Sequence, residues 1–242
     1  LRRTTLGIAR ILIENGIRLN LRDAFGISIG TYLTQQNYAI AEKLTNAASK
    51  FDDSITKDLR GLFEIIHGPE LFGFFVDRMK VQLKERGVRH DAIDAIFALG
   101  GEYDPVRLIA RVDALSEFIE SEDGRNLLTA YRRAANILKI EEKKDGRKYD
   151  GRIDPRLFEQ DEERILSGGL SEATLAIADA VNEENFVGAM RALAGLRGPV
   201  DAFFDKVTVN AEDTALRKNR LKLLNGIRAA LGEVADFSKI QG

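Results

Sequence analysis

Apolar side chains recur at helical spacing along most of the chain, and the segment 127–144 shows this pattern most clearly. Its apolar stripe, at steps of four, three and four residues, consists of Leu127, Tyr131, Ala134 and Leu138. This spacing places the stripe on one face of an α-helix. The neighbouring flank carries positive charge and one amide, from Arg132, Asn136, Lys139 and Lys143. The segment therefore predicts a long amphipathic helix with a basic flank.

The same periodicity predicts further helices, and we expect the whole chain to be all-α. These helices cover residues 3–15, 21–31, 32–44, 55–66, 69–86, 91–99 and 105–118, and about 159–181, 183–195, 200–207 and 212–235. The basic helix is expected to begin after Asp123-Gly124, and loops are predicted over 45–53 and 145–154. Each of the four prolines follows Gly or Asp, where a helix can begin. Residues 206–210 are the one short candidate for a strand.

The domain organisation is predicted from a glycine pair. A chain of 242 residues suffices for one large or two ordinary domains. Gly100-Gly101, followed by Glu-Tyr-Asp-Pro, is typical of a break between helical segments. We therefore expect two packed helical parts, residues 1–100 and 101–242.

Composition narrows the class of protein. Apolar residues make up 44% and charged residues 31%, as in an ordinary soluble globular protein. The absence of cysteine excludes disulfides, thiolate metal sites and cysteine nucleophiles. No apolar run approaches the roughly 20 residues of a membrane span, and the basic start lacks a signal-peptide core. Leu1 in place of Met indicates a piece of a longer chain. We expect a cytoplasmic protein that binds no membrane.

The net charge of −2 conceals segregated charge. Basic residues predominate from Arg125 to Arg152 and again from Arg217 to Arg228, and the sequence between these stretches is acidic. Segregated basic helices can follow a phosphate backbone, and Asn136 or Asn219 could add hydrogen bonds to bases. Alternatively, the basic residues form a solvated helix face balanced by a neighbouring acidic helix.

Candidate catalytic groups are sparse. The only histidines are His67 and His90. His90-Asp91 resembles the doublet of a metal-dependent phosphohydrolase, but that chemistry requires several His and Asp ligands. The paired acids Glu162-Glu163 are typical of a solvated helix surface, and the glycine pairs follow helices rather than the strands of a phosphate loop. The sequence therefore predicts neither a metal site nor a catalytic residue.

A series of segments shares its sequence and order with a known family. These segments are residues 1–19, 74–80, 86–94, 131–138, 203–207, 211–221 and 234–237. Together they resemble the β subunit of bacterial glycyl-tRNA synthetase. The part before Gly100-Gly101 resembles the end of that subunit's helical, HD-like region. The later part resembles its anticodon-binding helical bundle, which is related to the helical module of arginyl-tRNA synthetases.

The motif Asp213-Thr-Ala-Leu-Arg217 resembles the Asp-Ala-Leu-Arg signature of that module, with Thr214 inserted. Thr208 and Asn210 depart from the family, which usually has bulky apolar residues there. The resemblance therefore does not predict how the segment before the last helix packs.

The resemblance implies a function in translation. The family joins glycine to its tRNA with ATP, using an active site in a separate α subunit, and the β subunit recognises tRNA. The implied partners are glycine tRNA and the α subunit, with ATP and Mg in the α subunit. The chain would be part of a ligase holoenzyme without an active site, cofactor or metal of its own. The expected tRNA-binding residues are Arg132, Arg133, Asn136, Lys139, Lys143, Arg217, Lys218, Arg220 and Lys222.

Two alternatives remain at this point. The chain could be a helical scaffold that docks partner proteins, such as the α subunit, without touching RNA. A metal-dependent phosphohydrolase would require a bound metal ion.

Overall fold

The computed structural model describes residues 7, 10–21 and 68–241. Within these ranges the secondary structure is helical, with turns and loops between helices and no strand. The prediction of an all-α fold is confirmed, and the candidate strand at 206–210 does not form. The helices predicted over 22–67 lie outside the described residues.

The first compact unit comprises Leu1–Ile93 and Gly100–Ala110. Its described part contains helical residues 10–14 and helix α1 (Gly68–Glu85). Gly16 (φ +59°) and Gly87 (φ +83°) follow these helices in the left-handed region, which glycine adopts without steric cost. Both helix ends are therefore as predicted. Buried apolar side chains in this unit include Leu12, Phe75, Met79 and Leu83.

The second compact unit comprises Asp94–Leu99 and Arg111–Gly242. The division between the units passes through α2 (His90–Leu99) and α3 (Pro105–Glu120). A single domain boundary at Gly100-Gly101 therefore stays a prediction.

Five further α-helices fill the rest of the second unit. They are α4 (Glu122–Asp145), α5 (Asp161–Asn182), α6 (Phe186–Ala194), α7 (Arg197–Lys206) and α8 (Thr214–Gly232). Short 3-10 turns cover Pro155–Leu157 and Phe237–Lys239. Helix α5 packs against α6, α7 and α8, while α4 packs against α7 and α8. The predicted apolar stripe of α4 is buried in this core.

Capping explains where α4 begins and ends. The Ser121 hydroxyl accepts a hydrogen bond from the Gly124 backbone N–H at 3.0 Å, which satisfies a donor that the first helical turn leaves free. Asp123 and Gly124 therefore lie inside the first turn, and the predicted start after them is wrong. Gly146 ends the helix in the left-handed conformation, with φ +62°.

The predicted loop 145–154 is only partly exposed to solvent. Tyr149 is buried, and its hydroxyl donates a hydrogen bond to Asp145 at the end of α4. The loop thereby anchors itself on α4, while its basic residues Arg147, Lys148 and Arg152 are exposed.

Candidate nucleic-acid interface

The Asp-Thr-Ala-Leu-Arg motif builds the start of α8. Asp213 Oδ1 accepts a hydrogen bond from the Leu216 backbone N–H at 2.7 Å, which caps the helix. Leu216 is buried, and Arg217 reaches α4. The inserted Thr214 is the first residue of the helix. The motif therefore starts α8 with a cap, buries one apolar side chain and joins α8 to α4 through the ion pairs of Arg217.

Arg217 is neutralised by carboxylates of α4. Its Nη1 lies 2.7 Å from Asp145 Oδ2, and its Nη2 forms a hydrogen-bonded ion pair with Glu141. Asn210 donates to Glu141 at 3.2 Å and accepts from Arg217 at 3.3 Å. Hydrogen bonds from Arg217 lower the pKa of both carboxyl groups, and the same bonds raise the pKa of Arg217. The charge of Arg217 is therefore balanced within the protein.

Arg220 lies inside the domain, with only 4% of its surface exposed. Its Nε donates to Glu163 Oε1 at 2.9 Å, and its Nη1 donates to the Thr208 carbonyl at 2.8 Å. Burial raises the pKa of Glu163, but hydrogen bonds from Arg220 and two backbone N–H groups outweigh it, so the pKa is lowered overall. The Arg220 guanidinium is therefore occupied by contacts inside the domain, and its expected contact with RNA stays a prediction.

The remaining polar positions of α8 are largely occupied. Lys222 Nζ donates to the Arg152 carbonyl at 2.8 Å. The buried Asn219 amide bonds to the backbone N–H and carbonyl of Asp154, at 2.8 and 2.9 Å. It therefore holds the loop before α5 and is not accessible to bases. Lys218 is half-buried.

Most of the predicted tRNA-binding residues of α4 are exposed, unlike those of α8. Half-buried Arg132 donates to the Ile240 carbonyl at 3.1 Å. The exposed polar side chains following it on one side of the helix, with the exposed Ile140 among them, are Arg133, Asn136, Lys139, Lys143 and Lys144, and we name these five the basic face. Glu141 and Asp145 are turned toward Arg217, and Glu142 pairs with Arg228 and Lys148, each at 3.0 Å. The basic face therefore contains no carboxylate.

Of the two basic helices predicted to follow a phosphate backbone, α4 exposes more of its cations than α8 does. Arg217, Arg220 and Arg228 of α8 pair with carboxylates of α4 and α5, whereas the basic face of α4 is exposed to solvent. Whether any of these residues contacts RNA stays a prediction.

A groove beside the basic face was not predicted. It encloses about 350 Å³ between α4 and α7 and is lined by Asn126, Thr129, Ala130, Arg133, Arg197, Asp201, Phe204 and Asp205. The Arg133 guanidinium lies over the Phe204 ring, 4.4 Å from its centroid. The sequence signal for this groove is weak: successive helical residues point in different directions, so one member of the adjacent pair Phe203-Phe204 can lie outside the core. Phe203 is buried and Phe204 is half-buried.

The described ranges contain neither a cluster of metal-binding side chains nor a membrane-spanning helix. There, no three His, Cys, Asp or Glu side chains are grouped as a metal site would require. The Asp91 carboxylate beside His90 instead pairs with Arg89, with Nη2 to Oδ2 at 2.6 Å. His67 lies outside the described residues.

None of the described helices combines the length and apolar character needed to cross a membrane.

Comparison with known families defines the class of the second unit. Residues 127–240 match the family model described as the DALR anticodon binding domain. This match includes α5 to α8 and most of α4, and thus the basic face and the groove. The bundle is therefore a helical domain of the anticodon-binding class, as the resemblance implied.

The remainder of the chain specifies the family. Residues 1–98 match the model described as glycyl-tRNA synthetase beta subunit. Relatives named glycine–tRNA ligase beta subunit are 51% identical in Rhodospirillum centenum, 40% in Cereibacter sphaeroides and 41% in Dinoroseobacter shibae, each across 100% of this chain. The chain belongs to the glycyl-tRNA synthetase beta subunit family, which confirms the resemblance. It spans 30%, 31% and 34% of the length of these relatives.

Proposed function

We propose that the chain is a tRNA-recognition part of a glycine–tRNA ligase and binds the anticodon arm of glycine tRNA. The observation that carries this proposal is the basic face of α4, whose exposed cations have no carboxylate among them. The family match to an anticodon binding domain supports it. ATP, Mg and the catalytic residues would belong to a separate α subunit, and the cytoplasm would be the compartment.

The basic face can position an RNA backbone. Lys139, Lys143 and Lys144 are exposed cations without an ion-pair partner among the described residues, so they can approach phosphates directly. Such contacts fix the orientation of the RNA but do not read its sequence. Sequence would be read where loop bases are unstacked, by hydrogen bonding and by stacking on planar groups. Asn136 and Arg133 lie on the same face and are suited to these contacts.

The first test removes two cations from the basic face. In the full-length chain, Lys139→Ala with Lys143→Ala should lower affinity for glycine tRNA. It should also reduce the slope of log K against log[salt] by about 0.7 to 0.9 for each lost phosphate contact. Filter binding across a salt titration measures both quantities.

The matched control is Lys84→Ala with Arg191→Ala, which removes two exposed cations from α1 and α6. This pair should leave affinity and slope nearly unchanged. Equal curves for the wild type and the Lys139/Lys143 variant would exclude the basic face from the tRNA site.

A second candidate function is supported by exposed apolar side chains on α5 and α6. Leu175 is 69% exposed, Ile165 55% and Val187 53%. Such side chains are suited to docking a partner protein, for which the α subunit is our candidate. Docking of this kind should depend weakly on salt. Leu175→Ser with Ile165→Ser would then weaken binding of the α subunit without changing the salt dependence of tRNA binding.

A further inference from the structure

We infer that the groove between α4 and α7 binds one unstacked RNA base that carries an exocyclic amino group. This inference rests on the proposed function and assigns specificity-determining residues to it. The residues that would contact the base are Arg133, Phe204, Asp201 and Asp205. Of these, only Arg133 belongs to the basic face.

Two groups of the groove offer flat surfaces. The Arg133 guanidinium lies over the half-buried Phe204 ring at 4.4 Å from the centroid. Unstacked RNA bases stack on aromatic rings and on guanidinium planes, and such stacking accepts any base. Because Arg133 is exposed and both residues line the groove, a base that enters the groove can stack beside the pair. The groove volume of about 350 Å³ is at the small end of ligand sites, which range over about 300 to 1,000 Å³.

Two carboxylates give the groove a preference among bases. Asp201 and Asp205 are one helical turn apart on α7, and both line the groove. Within the described residues Asp201 pairs with Arg197, Nε to Oδ2 at 3.7 Å, but Arg197 makes shorter contacts with Asp123 at 2.7 Å and Glu122 at 3.1 Å. The Asp201 oxygens therefore remain able to accept from a ligand N–H. Carboxylates accept from the exocyclic amino group of cytosine, whereas the carbonyl oxygen of uracil at the same position would repel them.

The wall of the groove near α4 is held in place by protein contacts. With its amide oriented to suit Arg197, the Asn126 oxygen accepts from Nη2 at 2.7 Å and from Nε at 3.2 Å. Arg197 is fixed in turn by Asp123. The Thr129 hydroxyl donates to the Arg125 carbonyl at 3.0 Å. These contacts order the groove before any ligand arrives, which reduces the cost of ordering it on binding.

The experiment measures base discrimination in the full-length chain. Glycine tRNA is compared with transcripts in which each amino-bearing base of the anticodon loop is replaced in turn by uracil, at one salt concentration. The wild type should lose affinity about tenfold at one position, since a good base contact is worth roughly 1 to 3 kcal/mol. We define the discrimination ratio as the affinity for the original tRNA divided by the affinity for the uracil-substituted tRNA. In the variants Asp201→Asn and Asp205→Asn this ratio should fall toward one, while the salt slope of binding to the original tRNA stays unchanged.

Glu172→Gln is the matched control because it removes one exposed carboxylate from α5, and it should keep the full ratio. Thermal unfolding by circular dichroism verifies that the aspartate variants fold, as their exposure suggests. The inference is overturned if the wild type binds tRNA without discrimination at any position, or if both aspartate variants retain the wild-type ratio. A wild-type chain that binds no tRNA at low salt would instead refute the proposed function.

Discussion

At the scale of single residues, ion pairs decide which cations are available to a ligand. Arg220 and Glu163 are 4% and 0% exposed, so both charges are removed from water. Such a pair is stable only when the remaining polar atoms are also satisfied. Thr208 and the backbone N–H groups of Glu159 and Gln160 meet this need. The pair therefore stabilises the packing of α5 on α8 and does not contribute to the surface charge.

Loss of this pair should be costly. Glu163→Gln leaves the Arg220 guanidinium buried without its counter-charge, which we expect to lower the free energy of unfolding by about 3 to 5 kcal/mol. Urea unfolding followed by circular dichroism measures the change. Glu172→Gln on the exposed side of the same helix is the control, with an expected change within about 0.5 kcal/mol.

A double variant separates the charge from the packing. Glu163→Gln with Arg220→Met removes the buried cation as well, so part of the lost stability should return. If the double variant is as unstable as the sum of both single variants, the ion pair is not the cause of the loss.

At the scale of helices, the contact between α3 and α4 depends on a residue without a side chain. A Cβ atom at Gly124 would lie 1.9 Å from the Phe118 carbonyl oxygen and 3.1 Å from the Ile119 Cα. Both are backbone atoms, so no side-chain rotation relieves the clash. At Gly168, within α5, an added Cβ would meet nothing within 4 Å.

These two glycines predict opposite effects of alanine. Gly124→Ala should destabilise the protein by at least about 1 to 3 kcal/mol, the usual cost of overpacking. Gly168→Ala should stabilise it by roughly 0.5 to 1 kcal/mol, because alanine is the better residue in a helix interior. Urea unfolding of both variants tests the pair. Equal effects of the same sign would contradict the difference in packing.

Helix periodicity predicted the elements but not the environment of their charged residues. The stripe of α4 is buried as predicted, since the spacing of Leu127 and Leu138 contains that information. The sequence alone groups Arg217 and Arg220 with Lys139, because all three are basic. Their partners, Glu141 and Glu163, are 76 and 57 residues away in sequence. Only the packing of α8 against α4 and α5 brings these groups together.

At the scale of the whole molecule, the charge is slightly negative while one helix face is basic. In the second unit, acids of α4 and α5 are turned inward, against Arg217, Arg220 and Arg228. These carboxylates are paired inside the bundle and are therefore not available to neutralise the basic face. A chain with a net charge of −2 can therefore still present a local positive potential to a polyanion.

This arrangement makes folding depend on ionised carboxylates. Hydrogen bonds from Arg217 lower the pKa of Glu141 and Asp145, and a side-chain hydrogen bond from Arg156 lowers the pKa of Asp154 to about 2. In the unfolded chain these groups titrate near pH 4, at about 3.9 for Asp and 4.3 for Glu. Below that pH the unfolded state binds more protons than the folded state, so acid favours unfolding. The stabilisation is complete above about pH 5 and is lost as the pH falls from about 4 toward 2.

Urea unfolding at a series of pH values tests this dependence. Since all these carboxylates are ionised in both states at neutral pH, the contribution of the ion pairs should be constant between about pH 7 and 5.5 and should decline steeply below about pH 4. Glu163→Gln should be less stable than the wild type at pH 7 but should lose less stability on acidification, because one of the responsible carboxylates is absent. If the variant and the wild type decline in parallel, Glu163 does not titrate with folding and its pairing with Arg220 contributes nothing to the acid response.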